Sequence, residues 1–373
     1  MSKISIIVPC HNVEKYLPKC LESLMGQTFC DIDIVVVENG STDGTLEVLR
    51  QYAAKDPRIM VLTSDIPSIQ AARNMGIKAS SGEYIMFCDS DDWFAPDMCE
   101  VMYKAITKSG ADVACCNVTL EYAEDLSEEE KRIRDYTEYY KLKKTGLHKL
   151  NNSIIMKTSV VVWNKIMRRS IVEKILPFYK TVRVHEDNLL WYLYSLNADS
   201  VFFVKNSLYH YLLRPGSIMS EVALKTCDSS VKMERILVIN HVLDYLQSLQ
   251  NPTKEEQELA VTICENMLRE ASKQLNDKER QEVCNSINER VMATLRTEVF
   301  FIPADADIMN VHDNHPLPLL MWKGLMLKTR RTFNLLRGKK VSGNLKRKIL
   351  LNEMKIKYKK DSCNHNSGTQ TSF

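Results

Sequence analysis

The sequence lacks the features that would place it across a membrane, in a secreted scaffold or on a thiolate cluster. Nowhere do 18 apolar residues run together, and the best late stretch, Leu317 to Leu327, is broken by Pro318, Lys323 and Gly324, so no spanning helix is expected. Met1 to Cys10 offers one lysine and a five-residue apolar run, Ile6 to Cys10, too short for a secretory core; the chain is expected to stay in the cytoplasm. The eleven cysteines are odd in number and scattered, and none stands in a C-x-x-C pair. That argues for small core residues in a reducing compartment. Internal repeats and low-complexity tracts are also missing.

What is present suits a folded protein with more than one core: 373 residues, 45% hydrophobic and 26% charged. The length allows two or three domains, each able to bury enough apolar surface without a staple. The net charge of +3 hides an asymmetry, because residues 323–360 hold fourteen Lys or Arg against Glu353 alone and the remainder carries −10. Such a basic patch favours phosphate groups, on anionic lipid or on nucleic acid, and says little about fold.

The first hundred residues alternate strand-like and helix-like runs: Ile4 to Val8, Val13 to Met25, Ile32 to Val37, Gly44 to Ala54, Ile59 to Thr63, Ser68 to Ala79 and Tyr84 to Cys88. This βαβα order, with continuous Val/Ile runs such as Ile34 to Val37, predicts an α/β fold whose parallel sheet is covered by helices on both faces. Ligands then belong beyond the C-terminal strand ends. Polar residues gather there: His11 and Asn12 after the first strand, Glu38 to Gly40 after the second, Asp89 to Asp92 after the fourth. Ser41 to Gly44 offer a capping cluster for the next helix. Residues 121–150 read as an exposed, charged excursion. Past 222 the pattern becomes helical, with an N-cap signal at Thr253 and Glu256 and breaks near Pro252 and Asn276. The expected division is 1–220, split at 110 into two halves, then a helical domain 221–300, a linker 301–318, a basic amphipathic segment 319–360 and a tail 361–373.

Chemistry concentrates where Tyr84-Ile-Met-Phe-Cys88 runs into Asp89-Ser-Asp-Asp-Trp93, three carboxylates within four residues. Two readings are open. The acids either cap the turn that follows, or they supply hard oxygens for Mg²⁺ or Mn²⁺ shared with a substrate's phosphates.

Several separated motifs make residues 1 to about 218 resemble glycosyltransferase family 2, inverting enzymes of the GT-A fold that use nucleotide-sugar donors. Ile4-Ser-Ile-Ile-Val-Pro-Cys-His-Asn12 resembles the family's first strand and base-binding turn, Val37-Glu-Asn-Gly-Ser-Thr-Asp43 its second acidic turn, and Ala71-Ala-Arg-Asn74 its third element. The resemblance implies nucleotide-sugar contacts from Pro9, His11, Asn12, Glu38, Asn39, Asp89 and Ser90. Asp89-Ser-Asp91 fits the D-x-D motif, which implies Asp89 and Asp91 as ligands of a Mn²⁺ or Mg²⁺ on the donor diphosphate. Arg73 matches an arginine near the nucleotide, able to bind phosphate or to hold carboxylates.

Val162-Trp-Asn-Lys165 with Arg168 and Arg169 resembles a stretch of bacterial capsule and lipopolysaccharide transferases, and equally reads as a packed tryptophan before a basic helix. His185-Glu-Asp-Asn188 fits the motif that supplies the catalytic base, with Asp187 as base and Glu186 beside it; a bare helix start would look the same. Tyr209-His-Tyr-Leu-Leu-Arg-Pro-Gly-Ser217 is similar to the segment that closes over the diphosphate, through Arg214 and Ser217. The usual arginine position falls on Leu212, and His210 stands either as a metal ligand or as a packed ring. His11 replaces the usual stacking tyrosine, Asn39 an aspartate and Gln70 a serine, while the Asp65-Ile-Pro67 loop lacks the usual glycines. UDP is favoured as the donor nucleotide, since an amide oxygen can accept the uracil N–H.

Leu319, Trp322, Met326, Phe333 and Leu336 recur at near-helical spacing among basic residues. They suit either an interfacial helix on anionic lipid, where a lipid-linked acceptor would lie, or a helix docked on the catalytic domain. No nucleic-acid reading motif accompanies the charge. The expected activity is metal-dependent, inverting sugar transfer to a surface polysaccharide at the inner membrane face. The alternatives are an inactive nucleotide-sugar-binding partner in an assembly complex, and nucleotidyl transfer on a related sheet.

Overall fold

In the computed structural model, which describes residues 2–66, 68–179, 182, 184–217, 231–272 and 275–295, nine strands join one sheet. Strands β1 (Ile4–Cys10), β2 (Ile32–Glu38), β3 (Ile59–Thr63) and β4 (Tyr84–Phe87) are parallel and lie side by side in the order β3-β2-β1-β4. Their apolar runs need both faces covered. Helices α1 (Leu17–Met25), α2 (Thr45–Ala53) and α3 (Ile69–Ala79) supply the cover. Right-handed crossovers put α1 and α2 on one face and α3, which returns the chain past β1 to β4, on the other. The direction of winding therefore reverses between β1 and β4, opening a crevice at their C-terminal ends.

Two residues show how closely this half is built. Pro9 lacks an N–H yet sits in a central strand. The β1–β4 ladder ends at Ile7 and Phe87, with Cys88 N–H donating to the Ile7 carbonyl at 3.0 Å, so the donor Pro9 lacks would have pointed past the end of β4. Gly76 lets α3 settle onto β1, because a Cβ there would come within 2.5 Å of Ile7 Cγ2. Helix α3 is capped by Ser68, whose hydroxyl accepts the Ala71 N–H, and α2 begins where Asp43 and Glu14 accept the N–H groups of Thr45 and Gly44.

The second half continues with β5 (Trp93–Phe94), α4 (Met98–Ser109), β6 (Val113–Tyr122), α5 (Glu128–Ile133), α6 (Thr137–Tyr140), β7 (Gly146–Lys149), α7 (Asn152–Ile155), β8 (Lys165–Arg168), α8 (Arg169–Ile175), α9 (Glu186–Ser195) and β9 (Ser200–Leu213). The sheet runs on from β4 as β8-β6-β9-β5, with β7 on β9; β8 is antiparallel to β4 and β6, while β6 and β9 are parallel. The Trp-Asn-Lys and Arg-Arg stretch is a brace. Lys165 Nζ is buried and donates to the Ser159 carbonyl at 2.8 Å, Asn164 holds the Cys116 carbonyl, and Arg169 grips Ile77 and Ser80 at the end of α3.

Residues 121–150 depart from the exposed excursion expected of them. Leu126, Arg134, Tyr140 and Leu150 are buried, and Tyr140 packs on Trp163 and Tyr211; the stretch folds back because these few large side chains find aromatic and polar partners. The expected boundary at 220 lies outside the described residues. One compact unit comprises Met1–Tyr245 with Lys254–Leu259, and the other Leu246–Thr253 with the chain from Ala260. Helix α10 (Val231–Ser248) is tied into the first unit by Tyr245, whose hydroxyl donates to Asn197 Oδ1 at 2.8 Å. In the second unit, α11 (Lys254–Ser272), from Ala260 on, buries Ile263, Cys264, Met267 and Leu268, and α12 (Asp277–Leu295) buries Cys284, Ile287 and Val291, the spacing of an inward helix face. The expected linker, basic segment and tail lie outside the described residues, and among the described residues no helix is long and apolar enough to cross a membrane.

The α3–β1 contact generates a stability test. Gly76→Val should lower stability by about 2–3 kcal/mol through overpacking, read as an earlier urea midpoint with unchanged m. An unmoved midpoint would mean that α3 does not pack this tightly.

Candidate active site

The crevice is lined by the polar strand ends. Cys10 pairs with Glu38 across β1 and β2, so the two following turns meet. Asn12, at φ 50°, accepts the Thr42 N–H at 2.8 Å, and its own N–H donates to Ser41 Oγ. His11 Nδ1 donates to the Asn39 carbonyl at 2.8 Å, Glu38 accepts the Ser41 N–H, and Gly40 takes the left-handed turn between them. Pro9, Glu38, Asn39 and Ser90 are buried. Asn39 Oδ1 has no hydrogen-bond partner although its residue is 6% exposed, which leaves a buried acceptor aimed at nothing the protein supplies.

The centre of the site is Arg73 on α3, whose side chain is 1% exposed. Its guanidinium donates to Asp89 at 2.9 Å and to Glu186 at 2.8 Å, and also bonds Asp187. Asp89 and Asp187, 98 positions apart, thus share one cation. Of the two roles open to this arginine, the structure has it holding carboxylates. Burial disfavours its charge, but the three acids outweigh that and hold its pKa well above the usual value. The acids respond in kind. Burial, with the charge of Asp187 beside it and Arg73 opposing, pushes Glu186 up to about 7; burial and its acidic neighbours, again against Arg73, push Asp89 up to about 6.

Glu186 and Asp187 form the first turn of α9, a helix start whose acids Arg73 brings to Asp89. His185 ahead of them takes φ 74°; it and Asn12 are the non-glycine residues with positive φ among the described residues, and both border the crevice.

The turn after β4 is anchored from β9. The Asp89 N–H donates to Tyr209 Oη at 3.1 Å, and the Tyr209 hydroxyl donates to Asp92 Oδ2 at 2.7 Å. Asp92 also accepts the Leu212 N–H at 2.7 Å and is fully buried, which drives its pKa well up. It is a sheet clasp, whereas the helix-cap reading of the acid cluster fails: α4 starts at Met98 with no side-chain cap bond. Asp91 faces the other way and accepts Arg214 Nε at 2.7 Å, with the guanidinium over the Tyr16 ring at 4.8 Å.

His210 differs from the metal-ligand expectation. Its Nδ1 bonds Glu121 at 2.8 Å and its ring stacks on Trp93, since the β5–β9 pairing sets Trp93 opposite it. Sequence reasoning also missed Arg134. This fully buried residue of the 121–150 stretch donates to the Arg214 carbonyl at 3.0 Å and to Ser217 Oγ at 3.2 Å, fixing the loop that carries both. Nothing in the run Lys131-Arg-Ile-Arg-Asp135 marks one arginine as the buried one.

Asp89 and Asp91 each give one oxygen to an arginine and keep a second hard oxygen donor. Among the described residues no three His, Cys, Asp or Glu side chains gather as a closed cage. Two carboxylates fit Mn²⁺ or Mg²⁺ of the kind that draws its remaining ligands from water and substrate phosphates.

The buried arginine is directly testable. Arg73→Met should cost about 3–5 kcal/mol near pH 8 by urea unfolding, as buried carboxylates lose their partner, and less toward pH 5 as they take up protons. In the parent protein Glu186 and Asp89 keep their protons to about 7 and about 6, above their ordinary 4.5 and 3.8. The native state is therefore the more protonated one in that window, and in EDTA its Tm should fall as pH rises from 4 to 7. A flat or rising Tm would contradict the burial of these acids.

The profile of Glycosyl transferase family 2 matches residues 5–176. EpsH of Bacillus subtilis (strain 168) is 32% identical over 234 residues, 62% of this chain and 66% of its own length. Glycosyltransferase GlyA of Streptococcus pneumoniae serotype 4 is 33% identical over 219 residues, 58% of this chain but 31% of its own. The chain thus spans less than two thirds of these relatives. The structure of S. aureus TarS 1-349 in complex with UDP-GlcNAc superposes with a TM-score of 0.60 at 19% identity, over 78% of this chain and 81% of that one, a likeness of fold. The match to Glycosyl transferase family 2 takes in the crevice strands and the D-x-D turn of this chain and ends before the Glu-Asp helix start.

Proposed function

We propose that the protein transfers a sugar, with inversion, from a nucleoside-diphosphate donor to a hydroxyl of a growing surface polysaccharide. The observation that carries this reading is the shared Arg73, which brings Asp187 of α9 beside Asp89 at the end of β4. One displacement needs a base on the acceptor side and charge stabilisation on the donor side within one site. In this mechanism Asp187 accepts the proton of the acceptor hydroxyl while its oxygen bonds the anomeric carbon. The bond from that carbon to the diphosphate breaks, and the nucleoside diphosphate leaves with the electron pair. Asp89 and Asp91 would hold Mn²⁺ or Mg²⁺, which when bound neutralises charge on the diphosphate. Arg214, steadied by Arg134 through its carbonyl, lies next to Asp91 and would add positive charge there.

For the donor, the unpartnered Asn39 Oδ1 supports uracil, whose N–H it would accept, with His11, Asn12 and Glu38 shaping the turn around the base. TarS, of the same fold, was solved with UDP-GlcNAc. The basic segment within 319–360, outside the described residues, supports attachment to anionic lipid on the cytoplasmic face and a lipid-linked acceptor. The reading of an inactive nucleotide-sugar-binding partner has no observation in its favour, since Asp89, Asp91 and Asp187 are all present.

Incubation with UDP-, GDP-, CMP- and dTDP-sugars and Mn²⁺ tests the proposal. UDP-sugar should be consumed with release of UDP, and Asp187→Asn should slow turnover by about 10²–10⁴-fold with UDP still bound. Tight donor binding without turnover on any acceptor would favour the inactive partner. Release of pyrophosphate would favour nucleotidyl transfer, and preference for a CMP-sugar, which lacks a diphosphate, would overturn the metal assignment.

A further inference from the structure

Arg214 is fixed at its backbone, while its side chain leans on a single acid. Its carbonyl accepts Arg134 at 3.0 Å, the Leu213 carbonyl before it accepts the Ala123 N–H at 2.9 Å, and Gly216 at φ 67° turns the chain after it. The guanidinium reaches over the Tyr16 ring, 4.8 Å from its centre, and donates through Nε to Asp91 Oδ2 at 2.7 Å. Its other hydrogen bond among the described residues is a long one, 3.4 Å to the Pro215 carbonyl. Tyr16 in turn lines a cavity of about 450 Å³ with Asn12 and Asp43, from the turns after β1 and β2. The arginine therefore stands between those turns and the D-x-D turn, with a pinned backbone and a side chain that one exchange of partner would release.

Asp91 cannot serve two cations equally. Its one negative charge is met by Arg214, the two side chains are only 19% and 16% exposed, and a divalent ion on the other oxygen would face the guanidinium across a single carboxyl group. Like charges that close repel, the more so where water is scarce. A nucleoside diphosphate changes the balance, because its phosphate oxygens attract both cations and give the guanidinium another anion to grip. We propose that Arg214 and the metal compete for Asp91: Arg214 holds this carboxylate until the donor diphosphate arrives, then swings on its pinned backbone from Asp91 to the phosphates. The inference rests on Asp91 being a ligand of the donor's metal. Its consequence is an order of events, in which the protein alone binds the metal weakly and the protein with nucleotide binds it well. Arg214 is thus a positioning residue for Asp91. Asp89 offers no such exchange, since its partner Arg73 is 1% exposed and is held by two further acids.

The test is titration of the full chain with Mn²⁺, followed by the EPR signal of the free ion, with and without UDP and against a protein-free blank. In the parent protein UDP should tighten Mn²⁺ binding. Arg214→Gln should bind Mn²⁺ alone about tenfold more tightly, and UDP should then add correspondingly less. Arg214→Lys, whose compact charge lacks the planar fork, should fall between the two. In an Asp91→Asn background, Arg214→Gln should move the Mn²⁺ affinity by less than about twofold, because the contested carboxylate is gone. A merely structural arginine would weaken the site when replaced, not tighten it. Unchanged or weaker Mn²⁺ binding in Arg214→Gln and Arg214→Lys, or tightening that persists in the Asp91→Asn background, would overturn the competition, as would the absence of Mn²⁺ binding from every form. The expected pattern with no nucleotide sugar consumed would keep the competition and remove the transferase reading. Sugar transfer with a Mn²⁺ affinity indifferent to Arg214 would do the reverse.

Discussion

A guanidinium sealed from water among three carboxylates is costly to assemble and costly to take apart. Arg73 meets that cost by serving Asp89, Glu186 and Asp187 together. Removing water makes each attraction stronger and each repulsion between the acids sharper. A helix start from the middle of the chain and a strand end from early in it are therefore bound to the same point. In the proposed function that point joins the donor side to the acceptor side, and neither half of the sheet holds the pair alone.

The surroundings serve this junction. Gly76 brings α3 down onto β1, which sets the depth at which Arg73 emerges. Tyr209 locks the backbone of Asp89 and clasps Asp92, so the D-x-D turn takes its position from β9. Arg134 and the Arg214–Asp91 pair steady the opposite lip. The backbone departs from ordinary dihedrals at Asn12 and His185, the two places where a strand or helix terminus must turn polar groups toward the crevice. Ordinary regions of the fold are regular, and the unusual conformations collect where chemistry is expected.

Much of this was legible in the residues. Continuous Val/Ile runs predicted the parallel half of the sheet, with β1 to β4 within about two residues of their observed ends, because burial on both faces leaves little freedom of composition. The acidic strand ends pointed to the crevice for the same reason: charge at the end of an apolar strand has nowhere else to go. Partner choice was harder to see. Asp92 and Asp91 are adjacent and alike, yet one clasps Tyr209 inside the sheet and the other meets Arg214 at the lip. His210 was open as a ligand or as a packed ring, and strand register stacks it on Trp93. Arg134 and Tyr140 were read as surface because their neighbours are charged, whereas their own burial depends on rings and carbonyls far along the chain. Local composition predicts elements; which of two similar side chains is buried is decided by tertiary contact.

The most direct measurement of the central claim is a carboxyl ¹³C NMR titration of the metal-free protein, with Glu186→Gln and Asp89→Asn for assignment. A shared, dry guanidinium predicts apparent titrations of this cluster at about 6 and about 7. If every carboxyl of the cluster titrated near its ordinary value, the acids would be in water, Arg73 would not join them, and the account would be wrong.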